Sequence, residues 1–136
     1  MTTITLNPTA TERQDLLRRA LLGDGIVSGG AGAVLLLAAE PFGDLFGMPT
    51  VLLRWAGVSL LPFAAVLVYL ATRPRIPRRY AWGVVGYNLL WAIDSILLLA
   101  LGWVEPTALG YAFVLVQALA VLGFAELQYF GLRRSA

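Results

Sequence analysis

Apolar residues run in four long, nearly unbroken blocks, and the polar positions collect in the gaps between them. The blocks cover residues 20–39, 51–72, 80–102 and 108–132. A bilayer core is about 30 Å thick, so a helix needs about 20 apolar residues to cross it. Each block has that length. None alternates with the period of two that a barrel strand would show, so the pattern predicts helices. The expected fold class is all-α. Four transmembrane helices form an up-down bundle that fills residues 1–136 as a single domain.

The gaps carry their own signals. Thr9 and Glu12 have capping-box spacing and predict a juxtamembrane amphipathic helix over 9–19 that runs through Leu16, Leu17 and Leu21 into the first block. Leu16 and Leu17 would lie at the interface, while Arg18 and Arg19 meet anionic headgroups. Pro41 and Pro49 bracket a connector rich in Phe42, Leu45, Phe46 and Met48, which suits a short segment lying in the interface. The first block is long, and Leu37-Ala38-Ala39 is a poor small-residue cleavage site. It is therefore expected to stay as a span and not to be removed as a signal peptide.

Charge then orients the chain. Arg13, Arg18 and Arg19 precede the first block; Arg73, Arg75, Arg78 and Arg79 lie between the second and third; Arg133 and Arg134 follow the fourth. The other two gaps hold Glu40, Asp44 and Glu105 and no Arg. The positive-inside rule makes the Arg-rich side cytoplasmic, so both termini are expected in the cytoplasm of a bacterium, with the spans in its inner membrane. A weak repeat with a 60-residue spacing is also visible. It places Arg18-Arg19 on Arg78-Arg79, and Tyr69 and Arg73 on Tyr129 and Arg133.

Composition sharpens the picture mainly by exclusion. The chain is 59% hydrophobic and 13% charged, with a mean hydropathy of +0.77; a soluble domain has roughly 45–50% apolar and about 25% charged residues. There is no Cys and no His, which removes thiolate chemistry, iron–sulfur ligation and the commonest metal ligand. All the basic residues are Arg, so no Schiff-base lysine exists. The net charge of +2 is too small for a nucleic-acid binder. No nucleophile–base set, phosphate loop or dinucleotide fingerprint appears.

Candidate chemistry rests on polar residues inside the blocks, because a charged side chain at the bilayer centre costs roughly 2.5–3.5 kcal/mol on insertion scales. Asp94 is the leading one. At 100° per residue it shares a stripe with Tyr87 and Trp91, with Asn88 and Ser95 on an adjacent stripe. Gln117 is placed to hydrogen-bond Asn88 or Asp94, and Arg54 to snorkel outward or reach Asp94. The candidate ligand or proton site is thus Arg54, Tyr87, Asn88, Trp91, Asp94 and Gln117. The alternative is a structural hydrogen-bond cluster that fixes helix register. Asp24 and Glu126 are secondary candidates, expected near the cytoplasmic boundary and paired with neighbouring arginines. Gly25, Gly29, Gly32 and Ala33 form a small-residue face for helix packing, either within the bundle or in a homodimer.

The Arg-rich lead-in LLRRALLG (residues 16–23), the glycine-rich first span and a bundle occupying nearly the whole chain resemble the bacterial DoxX-like small four-helix membrane proteins. The resemblance implies a four-helix membrane fold. It also implies a link, known for some members, to quinone-connected redox complexes. It carries over no functional residue. The leading expectation is a non-enzymatic accessory or interaction subunit. A dimeric small-molecule or proton-coupled binder or transporter using Asp94 is the alternative, and a lipid- or quinone-associated enzyme the next. No cofactor is predicted, with lipid or quinone the classes considered. The expected partners are membrane lipids and a homodimer or larger membrane complex, and no nucleic acid.

Overall fold

The structure, a computed structural model, describes residues 14–135. The Thr9–Glu12 capping box lies outside them. The elements are α1 (Asp15–Leu37), α2 (Ala39–Phe46), α3 (Thr50–Thr72), α4 (Arg78–Ala100) and α5 (Ala108–Arg134). All but α2 are long and apolar enough to cross a membrane. The fold is all-α, with no strand among the described residues.

Local chemistry sets the boundaries. Pro49 and Pro77, both in extended conformations, stand immediately before α3 and α4; their missing N–H groups sit where a helix start would leave them unpaired anyway. Thr107 caps α5, its side chain accepting from the Gly110 N–H at 3.1 Å. The Pro41–Pro49 connector folds as α2, which buries Ala39, Gly43 and Phe46 on one side. It ends at Gly47, whose φ of 66° is the left-handed conformation that glycine adopts without strain. Thr107 fastens α2 to the start of α5, through its N–H to Phe46 O at 2.9 Å and its hydroxyl to Leu45 O at 2.9 Å.

The Arg-rich end is closed by side chains that satisfy helix-terminal carbonyls. Arg18 donates to Ala71 O and Arg73 O, each at 2.6 Å, and to Pro74 O at 3.2 Å. A cation at the exposed C-terminus of α3 also opposes the helix dipole. Gln14 pairs with the backbone of Ile76 in both directions. Arg78 donates to Leu132 O and to the Ser135 hydroxyl at the end of α5. Tyr69 and Tyr129, related by the 60-residue spacing, use the same local device: the guanidinium four residues on lies over each ring, at 5.3 Å for Arg73 and 5.8 Å for Arg133.

Residues 15–19 are the first turn and more of α1, continuous with the first block. Leu17 and Leu21 account for the continuity. They share a face and are fully buried with Leu132, Ile76 and Leu67, so the apolar stripe runs without a break from before the first block into it.

The small residues of α1 settle the packing. A Cβ on Gly25 would come within 2.9 Å of Val68 Cγ2, and one on Gly32 within 3.0 Å of Leu60 Cβ. From the other side, a Cβ on Gly57 would meet Gly32 O at 2.7 Å and Leu36 N at 2.8 Å. Gly29 faces Ala64, and Ala33 is half-buried on the flank of this face. The glycine face expected to serve either the bundle or a homodimer is therefore covered by α3 of the same chain. α1 packs against α3 on this side and α5 on the other, and α5 packs against α4. The helices follow one another around the bundle as α3, α1, α5, α4. Although joined by a short connector, α3 and α4 scarcely meet. A seam runs between them, bridged by the stacked rings of Phe63 and Tyr87 with centroids 4.2 Å apart.

The crossing of α1 and α3 yields a test. Gly57→Val is expected to lower stability in detergent by about 1–3 kcal/mol, the usual cost of overpacking, because backbone atoms on α1 cannot move aside. Gly86→Ala, where an added methyl meets nothing, is the control and should not lower it. Thermal unfolding of both variants in the same micelle checks this.

Candidate functional site

Two groups of polar side chains lie inside the bundle, at different depths. The deeper-set group joins three helices. Asp24 of α1 accepts from Ser28 Oγ (3.0 Å) on one carboxylate oxygen. The other oxygen accepts from Asn88 Nδ2 of α4 and Gln128 Nε2 of α5, both at 2.8 Å. Asn88 Nδ2 also donates to Gln128 Oε1 at 2.9 Å. Exposure is 1% for Asp24, 2% for Asn88 and 0% for Gln128, so this group offers nothing to a ligand. Its geometry is that of a tie between helices, where interhelical hydrogen bonds each contribute about 0.6 to 2 kcal/mol.

Asp24 thus departs from the expected arginine-paired boundary position. The reason is the face it occupies on α1: Asp24 points to where α1, α4 and α5 converge, and the amides of Asn88 and Gln128 reach it there. Glu126 is exposed on α5 and makes no hydrogen bond or ion pair among the described residues. The ion pair seen among them joins Arg19 to Asp15 at 3.1 Å, one turn apart on α1.

The second group lies nearer the far end, between α4 and α5. Trp91 Nε1–H donates to Gln117 Oε1 at 2.9 Å. Gln117 Nε2 donates to Ser95 Oγ at 2.9 Å and to Val114 O at 3.0 Å. The Ser95 hydroxyl turns back to Trp91 O, one turn earlier, at 2.8 Å. The expected bonds from Gln117 to Asn88 or Asp94 are not made. Gln117 and Gln128 are about 16 Å apart along α5, so in an antiparallel pair they meet different turns of α4, and Asn88 falls to Gln128.

This second group walls a half-open cleft of about 500 Å³. Ala31, Leu35, Phe113 and Val114 come from α1 and α5, while α3 and α4 flank the cleft with Leu52, Ala56 and Leu60 on one side and Trp91, Asp94 and Leu98 on the other. Because α3 and α4 do not close on each other, the mouth of the cleft is the seam. Asp94 stands about 24 Å along α4 from Arg78. It is exposed in the cleft and makes no hydrogen bond or ion pair among the described residues.

The candidate residues therefore separate into four places. Trp91, Asp94 and Gln117 share the cleft. Tyr87 stacks on Phe63 and lines a second cleft nearer the Arg-rich end, with Tyr69 and Tyr80. Asn88 belongs to the buried tie. Arg54 is on another face of α3, exposed beside Leu36, Val51, Trp55 and Val58, so it does not meet Asp94. The sequence reading did not single out Ser28 and Gln128. The four-residue spacing of Asp24 and Ser28 was the available sign for the first. For Gln128, the sign was an amide on the same helical face as Gln117 and Phe124.

The tie can be tested by removing one donor. Gln128→Leu leaves the Asp24 carboxylate short of a partner in a buried site, and should destabilise the bundle by about 1–3 kcal/mol. Gln117→Leu, at a half-exposed position, should cost less. Unchanged unfolding of Gln128→Leu in detergent would contradict the assigned geometry. Comparison of the chain with protein-family models, with characterised proteins and with solved structures finds no match in any of the three.

Proposed function

We propose that this protein is a non-enzymatic membrane subunit that holds an amphiphilic small molecule taken up from the bilayer through the α3–α4 seam. The observation behind this reading is the cleft itself. It is apolar over most of its wall, carries a localised polar strip, and falls within the roughly 300–1,000 Å³ range of small-molecule sites. Its mouth faces the direction from which a lipid-dissolved compound arrives. The hydrogen bonds of Trp91, Ser95 and Gln117 hold that strip in place before any ligand enters, which lowers the ordering cost of binding.

In this reading the Arg-rich end lies in the cytoplasm of a bacterial cell and the spans cross its inner membrane, with the cleft in the leaflet facing away from the cytoplasm. The distribution of arginine supports it: anionic lipid and the insertion machinery retain basic connectors on the cytoplasmic side. The resemblance to DoxX-like proteins supports an accessory role within a larger membrane complex.

Two measurements test the proposal. In equilibrium dialysis with neutral maltoside micelles on both sides, the native protein should retain triphenylphosphine oxide, a neutral amphiphile, above the micelle blank. Ala56→Trp, which fills the cleft, should reduce that retention at least tenfold while the protein still unfolds cooperatively. Equal retention by the two proteins would overturn the cleft as the site. For topology, the absence of native Cys allows single-site labelling. Arg75→Cys should react with an impermeant maleimide only in opened cells, and Glu105→Cys in intact ones. The reverse pattern would overturn the orientation.

A further inference from the structure

Within the cleft, the polar groups are not equally available. The Trp91 indole N–H, the Gln117 amide and the Ser95 hydroxyl bond to one another or to backbone carbonyls of α4 and α5. Asp94 is the exception, and among the described residues lining the cleft it alone is ionisable. Arg54, the one basic residue within the α3 span, lies on a different face. The remaining lining includes the aromatic rings of Trp91, Trp103 and Phe113. Aromatic faces attract cations through the ring quadrupole, and Trp does so most strongly.

From this juxtaposition we infer that the cleft selects a lipophilic organic cation, with the cationic centre at Asp94 among the aromatic rings and the apolar body against Leu52, Ala56 and Leu60. The inference rests on the proposed binding role and narrows it to a ligand class. Charge complementarity carries it. A carboxyl in a mostly apolar cleft has no counter-charge from the protein there, so a ligand that brings one gains an interaction strengthened by low dielectric. The same reasoning rejects other occupants. An anion would meet Asp94 with nothing to offset the repulsion. A quinone presents only carbonyl acceptors, and the donors on the wall are already engaged, so it gains nothing at Asp94 and binds no better than a neutral probe. A zwitterionic phospholipid would bring its phosphate in beside the ammonium, and among the described residues no arginine lines the cleft to receive it.

The test uses three probes of similar bulk: tetraphenylphosphonium, triphenylphosphine oxide and tetraphenylborate. Each is measured by equilibrium dialysis against matched maltoside micelles. The native protein should bind the phosphonium at least tenfold more tightly than the oxide and should show no retention of the borate above the blank. Asp94→Asn should lose the phosphonium preference, bringing the two affinities within threefold, while binding the oxide as before. Asp44→Asn removes the same charge from an exposed site on α2 and should leave all three values unchanged. If Asp94→Asn keeps the preference, or the native protein binds phosphonium and oxide alike, the cation assignment is overturned and the cleft reading survives. If the native protein binds none of the probes, both fall. Thermal unfolding of Asp94→Asn should match the native protein, since Asp94 has no partner to lose; a collapsed melting transition would itself contradict the unpartnered geometry.

Discussion

The close approach of α1 to α3 at Gly32 and Gly57 governs the rest of the bundle. Lipid is as apolar as leucine, so helices in a bilayer gain little from hiding leucine from it. They associate where backbones can come close. Here the atoms of Gly57 lie against the Gly32 carbonyl with no space for a methyl group. α3 lies on one side of α1 and α5 on the other, and α4 joins by packing on α5. The seam opposite follows from that order, and the cleft is part of the seam.

Polar groups in this bundle do two different jobs, and the difference is one of neighbours, not residue type. Asp24 and Asp94 are both carboxyls within helices long and apolar enough to cross a membrane. Asp24 points to where three helices converge and receives three donors. Asp94 is on the side of α4 that faces the gap left by α3 and receives none from the described residues. A buried carboxyl enclosed by donors holds helices in register; in the proposed role, the one facing an unfilled space meets a group from outside the chain. The Trp91–Gln117–Ser95 group lies between these cases. It joins α4 to α5 and at the same time fixes the wall beside Asp94.

The sequence made the gross architecture legible because its signals are local. Span length, apolar continuity and the proline starts of α3 and α4 can be read without knowing who packs against whom. The cleft was partly legible too, since Trp91 and Asp94 lie on one stripe of a single helix. What sequence could not supply was the rotation of each helix about its own axis. Arg54 and Asp94 are at comparable depth, and periodicity alone left them free to pair. The glycine contact turns α3 so that Arg54 points away. Asp24 was misplaced for the same reason, because the rotation of α1 turns it toward Asn88 and Gln128, residues far from it in the chain.

The aromatic bridge between Phe63 and Tyr87 has one more effect. It crosses the seam between the two clefts, one flanked by Asp94 and the other by Tyr69 and Tyr80. In the proposed binding role, a short molecule would occupy either compartment without disturbing the rings, whereas a long-chained one would spread them apart, and with them α3 and α4, which have little else in common. The groove would then sort its guests by reach as well as by charge, its width a readout of tail length.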